Sequence, residues 1–221
     1  MMTPTVFELK FEPSVPFDFK SGQFISIVIP GAGPNGRDLR RAYSIASTSH
    51  VRPIELCIKY VPEGPGTSYL YKLREGDTFK GFAPYGDFVY KTPPEKGVWF
   101  ISTGTGIAPF RAMAESHDYQ ARPPREANCL FGVREQEEIL YQDAVAKIPN
   151  LKWIPCISKP GADWRGFKGR VTDYLRGLPA DYAWLDHDYY LCGNGEMINE
   201  VVAFLTDKGV QKPAIHREKY Y

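Results

Sequence analysis

The chain has 221 residues with 27 Lys and Arg against 26 Asp and Glu, a formal net charge of +1, and 43% hydrophobic residues. This composition is typical of a globular protein, and a charge so close to zero excludes a field that would attract nucleic acid or an anionic membrane. No apolar run approaches the ~18 residues of a membrane span, and the start of the chain lacks the form of a secretory signal, so a cytoplasmic location is expected.

The first 95 residues alternate short β-branched and aromatic runs with turn-forming clusters. This spacing predicts a small antiparallel barrel or sandwich, interrupted by one short helix at Ser68–Leu73. The predicted strands are Val6–Phe11, Gln23–Pro30, Arg41–Ser47, Ile54–Val61 and Thr78–Phe88.

A linker-like stretch at Lys91–Gly97 separates this region from a second pattern, in which continuous apolar runs alternate with amphipathic segments. Such alternation predicts a parallel sheet covered by helices, and we therefore expect two domains, residues 1–95 and 96–221. The predicted strands are Val98–Ser102, Ala127–Val133, Leu151–Ile157 and Tyr189–Cys192, and the predicted helices are Ala108–Ala114, Gln136–Lys147, Val171–Leu175 and Glu196–Lys208.

The four cysteines are far apart, without a C-x-x-C pair. Their spacing argues against a zinc site, a thioredoxin-like centre and an iron–sulfur cluster, so no metal site is predicted. Each is expected to be a small buried hydrophobic residue in a reducing compartment.

A glycine-rich loop follows the first predicted parallel strand, reading Ser102-Thr103-Gly104-Thr105-Gly106-Ile107-Ala108-Pro109. Glycines let the main chain approach a diphosphate, and the start of the next helix offers free N–H groups. Pro109 replaces the third glycine of the usual pattern and is well suited to a first helical turn. The loop predicts a phosphate site, although a tight strand–helix turn without a ligand has the same composition.

A second turn at the carboxyl edge of the same sheet reads Cys192-Gly193-Asn194-Gly195-Glu196-Met197. Cys192 can line a slot for a planar ring there, or it can be an ordinary buried cysteine beside a glycine turn.

Arg41 and Tyr43 share one face of a predicted strand in the first domain. Arginine can hold a diphosphate by two parallel hydrogen bonds, and tyrosine offers a flat ring with a hydroxyl. The segment from Gly64 to Ser68 adds a second helix start with small hydroxyl residues. The alternative is an exposed arginine and a half-buried tyrosine on a barrel surface.

These motifs occur in a fixed order along the chain. In sequence they are Gly22-Gln23-Phe24, Arg41-x-Tyr43-Ser44, Gly66-x-Ser68, Gly76-Asp77, Pro84-x-Gly86-x-Phe88, Gly104-x-Gly106-x-x-Pro109 and Cys192-Gly193-x-x-x-Met197. The series resembles the ferredoxin-NADP(+) reductase superfamily of flavoproteins over nearly the whole sequence. The resemblance implies an antiparallel β-barrel FAD domain followed by a Rossmann-like NAD(P) domain.

The resemblance also implies site residues. Those expected to hold FAD are Arg41, Ala42, Tyr43, Ser44, Ile58, Lys59, Tyr60, Gly66, Thr67 and Ser68. Those expected to hold the nicotinamide dinucleotide are Thr103, Gly104, Thr105, Gly106, Pro109, Cys192, Gly193 and Met197.

The chain ends Glu218-Lys219-Tyr220-Tyr221. Terminal aromatics are ordinarily frayed, but this ending is similar to that of family members in which an aromatic ring stacks on the flavin. Tyr220 and Tyr221 are equal candidates for that role. The resemblance further implies that Glu218 and Ser44 tune protonation at the flavin, so Ser44, Cys192, Glu218, Tyr220 and Tyr221 are the predicted catalytic residues.

The chain departs from the family pattern at two places. The family barrel begins with a strand about ten residues before the segment that matches Val6–Phe11, and the given sequence starts without it. We therefore expect either an unpaired edge, or a strand that a partner or a longer amino-terminal segment supplies. Members that favour NADPH carry Ser-Arg where this chain has Ser158-Lys159, and Arg134, Arg165 and Arg170 are further candidates to contact the 2'-phosphate. The preference for NADPH or NADH stays open.

The chemistry implied by the resemblance is reversible hydride transfer between NAD(P)H and FAD, followed by release of single electrons. The expected partner is ferredoxin or flavodoxin, because the chain has no iron–sulfur motif of its own. One alternative is an NADH-dependent reductase component of an oxygenase or a cytochrome b5 reductase-like enzyme. The other is a flavin-binding interaction subunit without turnover.

Overall fold

The computed structural model describes residues 1–220, which form an antiparallel domain followed by an α/β domain. Its strands are β1 (Val6–Phe11), β2 (Phe24–Ile29), β3 (Leu39–Ser44), β4 (Ile54–Lys59), β5 (Gly81–Tyr85), β6 (Gly97–Thr103), β7 (Ala127–Val133), β8 (Leu151–Ile157), β9 (Phe167–Lys168), β10 (His187–Asn194) and β11 (Ile215–Tyr220). Its helices are α1 (Pro65–Lys72), α2 (Ala108–Ala114), α3 (His117–Ala121), α4 (Gln142–Val145), α5 (Val171–Arg176) and α6 (Gly195–Asp207).

The first five strands confirm the predicted antiparallel domain. Strand β2 lies between β3 and β5, while β1 pairs with β4, and an antiparallel bridge between Ile45 and Leu56 connects the two sheets. Alternate residues of β2 point inward, so that Ile25, Ile27 and Ile29 are buried in the core of this domain. The helix begins three residues earlier than predicted, because Pro65 fits a first helical turn.

The predicted unpaired edge is present on both sides of one groove. Among the strands of the described chain, β1 pairs only with β4, and β5 pairs only with β2. A groove with a volume of about 1290 Å³ lies along these strands, and its lining includes Leu9, Phe11 and Phe79. The predicted strand Thr78–Phe88 was too long, since only Gly81–Tyr85 pairs with β2.

The second domain contains the predicted parallel sheet. The strand order is β11–β10–β6–β7–β8–β9, and every pair is parallel. The central strands β6, β7 and β10 are buried at every residue except the last, which accounts for their continuous apolar sequence. Because all six strands run in one direction, their carboxyl ends lie at the same edge.

Two strands of this sheet were not predicted. Strand β9 has only two residues, and β11 lies at the other edge, where it pairs with β10 alone. An edge strand such as β11 contacts solvent on one side, so its sequence, IHREKY, carries charges that hide the strand pattern. The carboxyl-terminal segment is therefore a paired strand through Tyr220 rather than a frayed end.

The predicted helix Gln136–Lys147 is wrong. The chain instead forms a short 3₁₀ turn and then α4, with Tyr141 between them at φ 54°. The Glu138 carboxylate accepts hydrogen bonds from the N–H groups of Arg134 and Glu135, and these bonds stabilise the 3₁₀ turn as a separate short element. The Tyr141 ring packs under the Arg111 guanidinium at 4.7 Å, and this contact outweighs the helical pattern.

The two domains share one hydrophobic core. Val6, Ala46 and Cys57 of the antiparallel domain pack in the same cluster as Phe100 and Phe110 of the α/β domain. The contact fixes the two domains relative to each other, because separating them would expose apolar surface. None of the helices in residues 1–220 is long and apolar enough to cross a membrane.

Candidate functional site

Two hydrogen bonds join the domains at the carboxyl edge of the parallel sheet. The Ser44 hydroxyl, at the end of β3, donates to Oε1 of Glu218 at 2.7 Å. The Tyr220 hydroxyl donates to the Ser44 oxygen, also at 2.7 Å. Three of the predicted catalytic residues therefore form one connected network, although Ser44 and Tyr220 are 176 positions apart in sequence. Tyr221, the other predicted aromatic, lies outside the described residues.

Burial changes the acid–base behaviour of this network. It raises the pKa of Glu218, and the hydrogen bond from Ser44 opposes the rise only in part. Burial also raises the pKa of the Tyr220 hydroxyl well above its ordinary value, with a further contribution from the charge of Glu218. Glu218 therefore holds a proton to higher pH than an exposed glutamate, while Tyr220 stays protonated and donates a hydrogen bond to Ser44.

Cys192 lies beside the network, in the middle of the sheet. In the strand register it faces Glu218 of β11 on one side and Ser102 of β6 on the other. The side chain is fully buried, and burial raises the pKa of its thiol. The thiol is therefore neutral at physiological pH, which suits a small apolar wall and not a nucleophile.

The two glycine-rich loops pack directly against each other. A Cβ on Gly106 would lie 2.3 Å from the carbonyl oxygen of Cys192, and a Cβ on Gly193 would lie 2.6 Å from the Thr103 hydroxyl oxygen. The same hydroxyl accepts a hydrogen bond from the Asn194 N–H at 3.0 Å. Glycine is therefore required at both positions by the closeness of the loops, and the contact brings Thr103, Gly106, Cys192 and Gly193 together as predicted.

Gly104 differs from those two glycines. It has a φ of +53°, and no heavy atom of residues 1–220 lies within 4 Å of the position that a Cβ would take. None of these residues caps the first turn after Thr103 with a side chain, and Pro109 has no N–H to satisfy. The loop thus has open space and free N–H groups, which is what a phosphate requires.

The start of α1 is the second position at which the sequence predicts a diphosphate contact. A Cβ on Gly66 would lie 3.1 Å from both Arg41 Cγ and the Tyr43 hydroxyl, so these side chains pass across the first turn of the helix. No side chain in the part of the chain that the structure describes caps that turn. The only hydrogen bond of the Arg41 guanidinium within the described chain is to the carbonyl of Arg40, which leaves it able to hold a diphosphate.

The other predicted FAD-domain residues lie around this helix start. Tyr60 packs against Tyr71 of α1 with ring centroids 5.0 Å apart, and Ser68 lies in the first turns of the helix. The Thr67 hydroxyl bonds both main-chain groups of Val61. Lys59 and Ala42 are exposed. Ile58, in contrast, is buried in the domain core, so only its main chain can reach a ligand.

Four residues predicted near the dinucleotide phosphates follow β7 and β8. They are Arg134, Ser158, Lys159 and Arg165. The N–H of Lys159 bonds the carbonyl of Arg134 at 2.8 Å, and the N–H of Ser158 bonds Val133, so three of the residues are neighbours at the sheet edge. Arg165 lies in the next loop, with its guanidinium on the carbonyl of Ala162. All four are exposed.

Met197 and Thr105 complete the predicted set. The N–H of Met197 bonds the side chain of Asn194, which caps α6, and the Met197 side chain packs in the core of the α/β domain. Its contribution to the site is therefore structural support of the Cys192 turn. Thr105 is half-buried in the loop after β6.

Sequence reasoning did not assign a role to the residues on the other side of Glu218. A Cβ on Gly86 would lie 3.0 Å from the Phe24 ring and 3.8 Å from Glu218 Oε2. The side-chain amide of Gln23 donates to the Gly86 carbonyl at 2.9 Å, and the Phe24 and Tyr85 rings stack at 5.8 Å. The GQF and PxGxF motifs mark these positions in the sequence, but they do not reveal that they meet at Gly86 or that Gly86 approaches Glu218.

Comparison with known proteins gives consistent matches over both domains. Residues 4–90 match the oxidoreductase FAD-binding domain family, and residues 100–203 match the oxidoreductase NAD-binding domain family. The chain is 29% identical to ferredoxin--NADP reductase B of Sorangium cellulosum, covering 99% of this chain and 93% of that protein. It is 31% identical to the ferredoxin--NADP reductase of Pseudomonas aeruginosa, covering 94% and 86%.

A solved structure extends the comparison to another kind of reductase. The Amycolatopsis cytochrome P450 reductase GcoB superposes with a TM-score of 0.84 at 26% identity. The match covers 99% of this chain and 66% of GcoB, so this chain spans about two thirds of that protein.

Proposed function

Because the chain belongs to the ferredoxin-NADP(+) reductase superfamily of flavoprotein oxidoreductases, we propose that it oxidises NAD(P)H and delivers the electrons singly to ferredoxin or flavodoxin. It is an FAD- and NAD(P)-dependent enzyme, which sets aside the alternative of an interaction subunit without turnover. The observation that carries the proposal is the Ser44–Glu218–Tyr220 network, which places a protonatable carboxyl group between the two cofactor domains. When bound, FAD supplies hydride acceptance and single-electron release, neither of which a side chain can perform.

The residues proposed to hold FAD are those around the start of α1. Arg41 and the uncapped first turn of the helix fit the diphosphate, because both present unpaired donors to the same space. Tyr43 is half-buried beside them and offers its ring face. Tyr60 and Tyr71 form an aromatic pair at the far side of the helix, which is suited to a second flat group.

The residues proposed to hold NAD(P)H are those of the two packed glycine loops. The open loop at Gly104 fits the diphosphate, and Arg134 with Lys159 provides positive charge at the same sheet edge. Cys192 and Tyr220 lie beside Glu218, where they line the place at which the two cofactors must meet. Their task is to orient the reacting rings and to exclude water from them.

Glu218 is proposed to hold the proton that accompanies electron transfer. Its raised pKa keeps the carboxyl group protonated to higher pH, and Ser44 is hydrogen-bonded to it, so a proton can pass between the two oxygens. Tyr220 supports this arrangement by donating to Ser44, which leaves the Ser44 proton for Glu218.

A direct test is the anaerobic titration of purified protein that has been loaded with FAD. We expect stoichiometric bleaching of the flavin absorbance with NADPH or NADH, followed by reoxidation on addition of oxidised ferredoxin or flavodoxin. A protein that binds FAD but is not reduced by either nicotinamide would contradict the proposal.

The second candidate is a reductase component of an oxygenase, and the similarity to GcoB favours it. The two candidates differ in their nicotinamide, since the oxygenase-type alternative is NADH-dependent. The ratio of NADPH to NADH turnover with ferricyanide separates them, because ferricyanide accepts electrons without requiring a protein docking surface.

A further inference from the structure

An exposed aromatic and cationic surface covers the outer face of the β3–β2–β5 sheet. We define the Phe82 patch as Arg40, Lys80, Phe82 and Tyr85. Phe82 and Tyr85 are 37% and 42% exposed, so the two rings present apolar surface to solvent next to each other on one strand. Arg40 reaches across β2 from β3 and lies over the Phe82 ring, with its Cζ 4.0 Å from the ring centroid. Lys80 Nζ lies 5.5 Å from the same centroid.

The positive charge of the patch is not compensated. Neither Arg40 nor Lys80 forms an ion pair with any acidic side chain in residues 1–220, and both are exposed. Asp38 is the acid nearest to Arg40 in sequence, and its carboxylate accepts from the Gly31 N–H within the hairpin turn. Two cations that share one ring repel each other, and an external anion relieves that repulsion.

The patch is continuous with the proposed reaction site. Tyr85 stacks on Phe24, and Phe24 faces Ser44 directly in the register of β2 and β3. Gly86, which follows Tyr85, lies between the Phe24 ring and the Glu218 carboxylate. A protein seated on Phe82 and Tyr85 would therefore be only two side chains away from the Ser44–Glu218 hydrogen bond.

We infer that the Phe82 patch is the docking surface for an acidic one-electron carrier protein. The inference rests on the proposed function, since it names the surface through which electrons leave. Arg40 and Lys80 steer a negatively charged partner, while Phe82 and Tyr85 provide apolar contact once the partner has arrived. One NAD(P)H supplies a hydride with two electrons, so two carriers dock in turn, each takes one electron, and one proton is released.

The test compares the double variant Arg40→Glu/Lys80→Glu with wild type, using oxidised [2Fe–2S] ferredoxin and oxidised flavodoxin as acceptors in stopped-flow experiments. At low ionic strength we expect carrier reduction to slow by about tenfold or more, because charge reversal removes the steering. At about 0.5 M salt the difference is expected to become small, since ions screen exposed charges. Reduction of the flavin by NADPH should stay within about twofold of wild type.

The matched control is Lys208→Glu. Lys208 follows the last residue of α6 in the other domain, and its Nζ lies 5.6 Å from the centroid of the Phe204 ring. The Lys208→Glu variant should leave carrier reduction unchanged. The variant Phe82→Ala tests the apolar contribution, and we expect it to raise KM for the carrier at high salt as well.

Several outcomes would overturn the inference. A double variant that reduces the carriers at the wild-type rate at every salt concentration would do so. A wild-type protein that accepts hydride but reduces neither carrier would also do so, while leaving the proposed flavin chemistry intact. A wild-type dimer that the double variant dissociates in sedimentation would assign the patch to a second copy of this chain. Failure of hydride transfer itself would instead contradict the proposed function.

Discussion

Glu218 is a carboxylic acid whose ionisation is disfavoured by its surroundings. It is half-buried, it faces Cys192 in the sheet, and a neutral hydroxyl is the hydrogen-bond donor that reaches it. Burial raises its pKa, whereas Glu55, another carboxylate near the domain boundary, is paired with two cations. The environment thus gives the two glutamates different acid–base behaviour: Glu218 has a raised pKa and holds a proton to higher pH, whereas Glu55 has a lowered pKa and is an anion at neutral pH.

Replacement of Glu218 by Gln removes this titration. In wild type we expect carrier reduction to follow a pH profile with an apparent pKa above the ordinary glutamate value of about 4.3, because the raised pKa belongs to the folded protein. The Glu218→Gln variant should lose that limb of the profile and deliver electrons about tenfold more slowly or worse. The measurement is steady-state carrier reduction between pH 5 and 9, which spans about four units around neutrality.

Glu137→Gln is the control for this experiment, because Glu137 is exposed on the short turn after β7. Its profile should match wild type. Electron delivery by Glu218→Gln with an unaltered rate and pH profile would remove Glu218 from the proton path.

At the scale of elements, the site depends on how closely two loops approach each other. The loop after β6 and the turn after β10 are brought together because their strands are hydrogen-bonded neighbours in the sheet. Gly106 and Gly193 are the positions at which the two backbones touch. A change in the backbone of one loop therefore displaces the other loop, and with it the groups that either loop presents to a dinucleotide.

Gly106→Ala is expected to separate the loops. The added methyl group would lie 2.3 Å from the Cys192 carbonyl oxygen, so the backbone must move. We expect a loss of about 1–3 kcal/mol in the free energy of unfolding and a higher KM for NADPH. Gly161→Ala is the matched control, since no atom lies within 4 Å of its Cβ position and its φ is not in the left-handed region. Equal urea midpoints for the two variants would contradict this account.

The carboxyl ends of β7 and β8 are expected to influence nicotinamide choice. Arg134 and Lys159 are held together there by a main-chain hydrogen bond, and both side chains are exposed. Replacing both by Ala should lower kcat/KM for NADPH more than for NADH, because only NADPH carries the additional phosphate. Lys152→Ala, at the opposite end of β8, is the control and should leave the ratio unchanged. An equal ratio of kcat/KM for NADPH to kcat/KM for NADH in wild type, the double variant and Lys152→Ala would show that Arg134 and Lys159 do not influence nicotinamide choice.

At the scale of the whole molecule, the interface between the domains is both apolar and ionic. Arg111 of α2 donates to Glu55 of β4 at 2.7 Å, and the two side chains are only 16% and 10% exposed. Lys10 completes the pairing of Glu55 from the other side. The Tyr190 hydroxyl of the α/β domain accepts hydrogen bonds from the N–H of Lys91 and the hydroxyl of Thr92. These contacts hold the cofactor sites of the two domains in a fixed relation.

Glu55→Gln should destabilise the protein by about 2 kcal/mol at neutral pH, because it leaves the positive charge of Arg111 with Glu115 alone. Burial on its own would raise the pKa of Glu55, but the hydrogen bonds from Lys10 and Arg111 bring it below its ordinary value. The stabilising contribution is therefore complete above the unfolded-state pKa of about 4.3 and is lost as pH falls through the lower folded-state value.

The expected result is a difference in unfolding free energy between wild type and Glu55→Gln that shrinks as the pH is lowered below about 4. Urea denaturation at a series of pH values measures it. Glu200→Gln, which removes an exposed ion pair with Arg176, should cost no more than about 0.5 kcal/mol. A pH-independent difference for Glu55→Gln would show that the charge of Glu55 is not responsible.

Local patterns were sufficient for much of the architecture. Strands β1, β7 and β8 and helix α2 have the predicted bounds, because a continuous apolar run or a strict alternation leaves one favourable conformation. The segment 136–147 was predicted wrongly because its helical periodicity competes with a contact between Tyr141 and Arg111, and that contact belongs to a distant part of the chain. The boundary between the domains at residues 95 and 96 stays a prediction.

The amino-acid sequence by itself determined the two-domain order, the change from antiparallel to parallel strands, and the glycine loops, since each depends on residues that are adjacent in the chain. Only the tertiary structure decided that Ser44, Glu218 and Tyr220 form one network, that β11 is a paired edge strand, and that Arg40 and Lys80 meet over Phe82. The physical reason is that hydrogen bonds and charge contacts between residues far apart in sequence depend on how the two domains pack, and no local pattern records that packing.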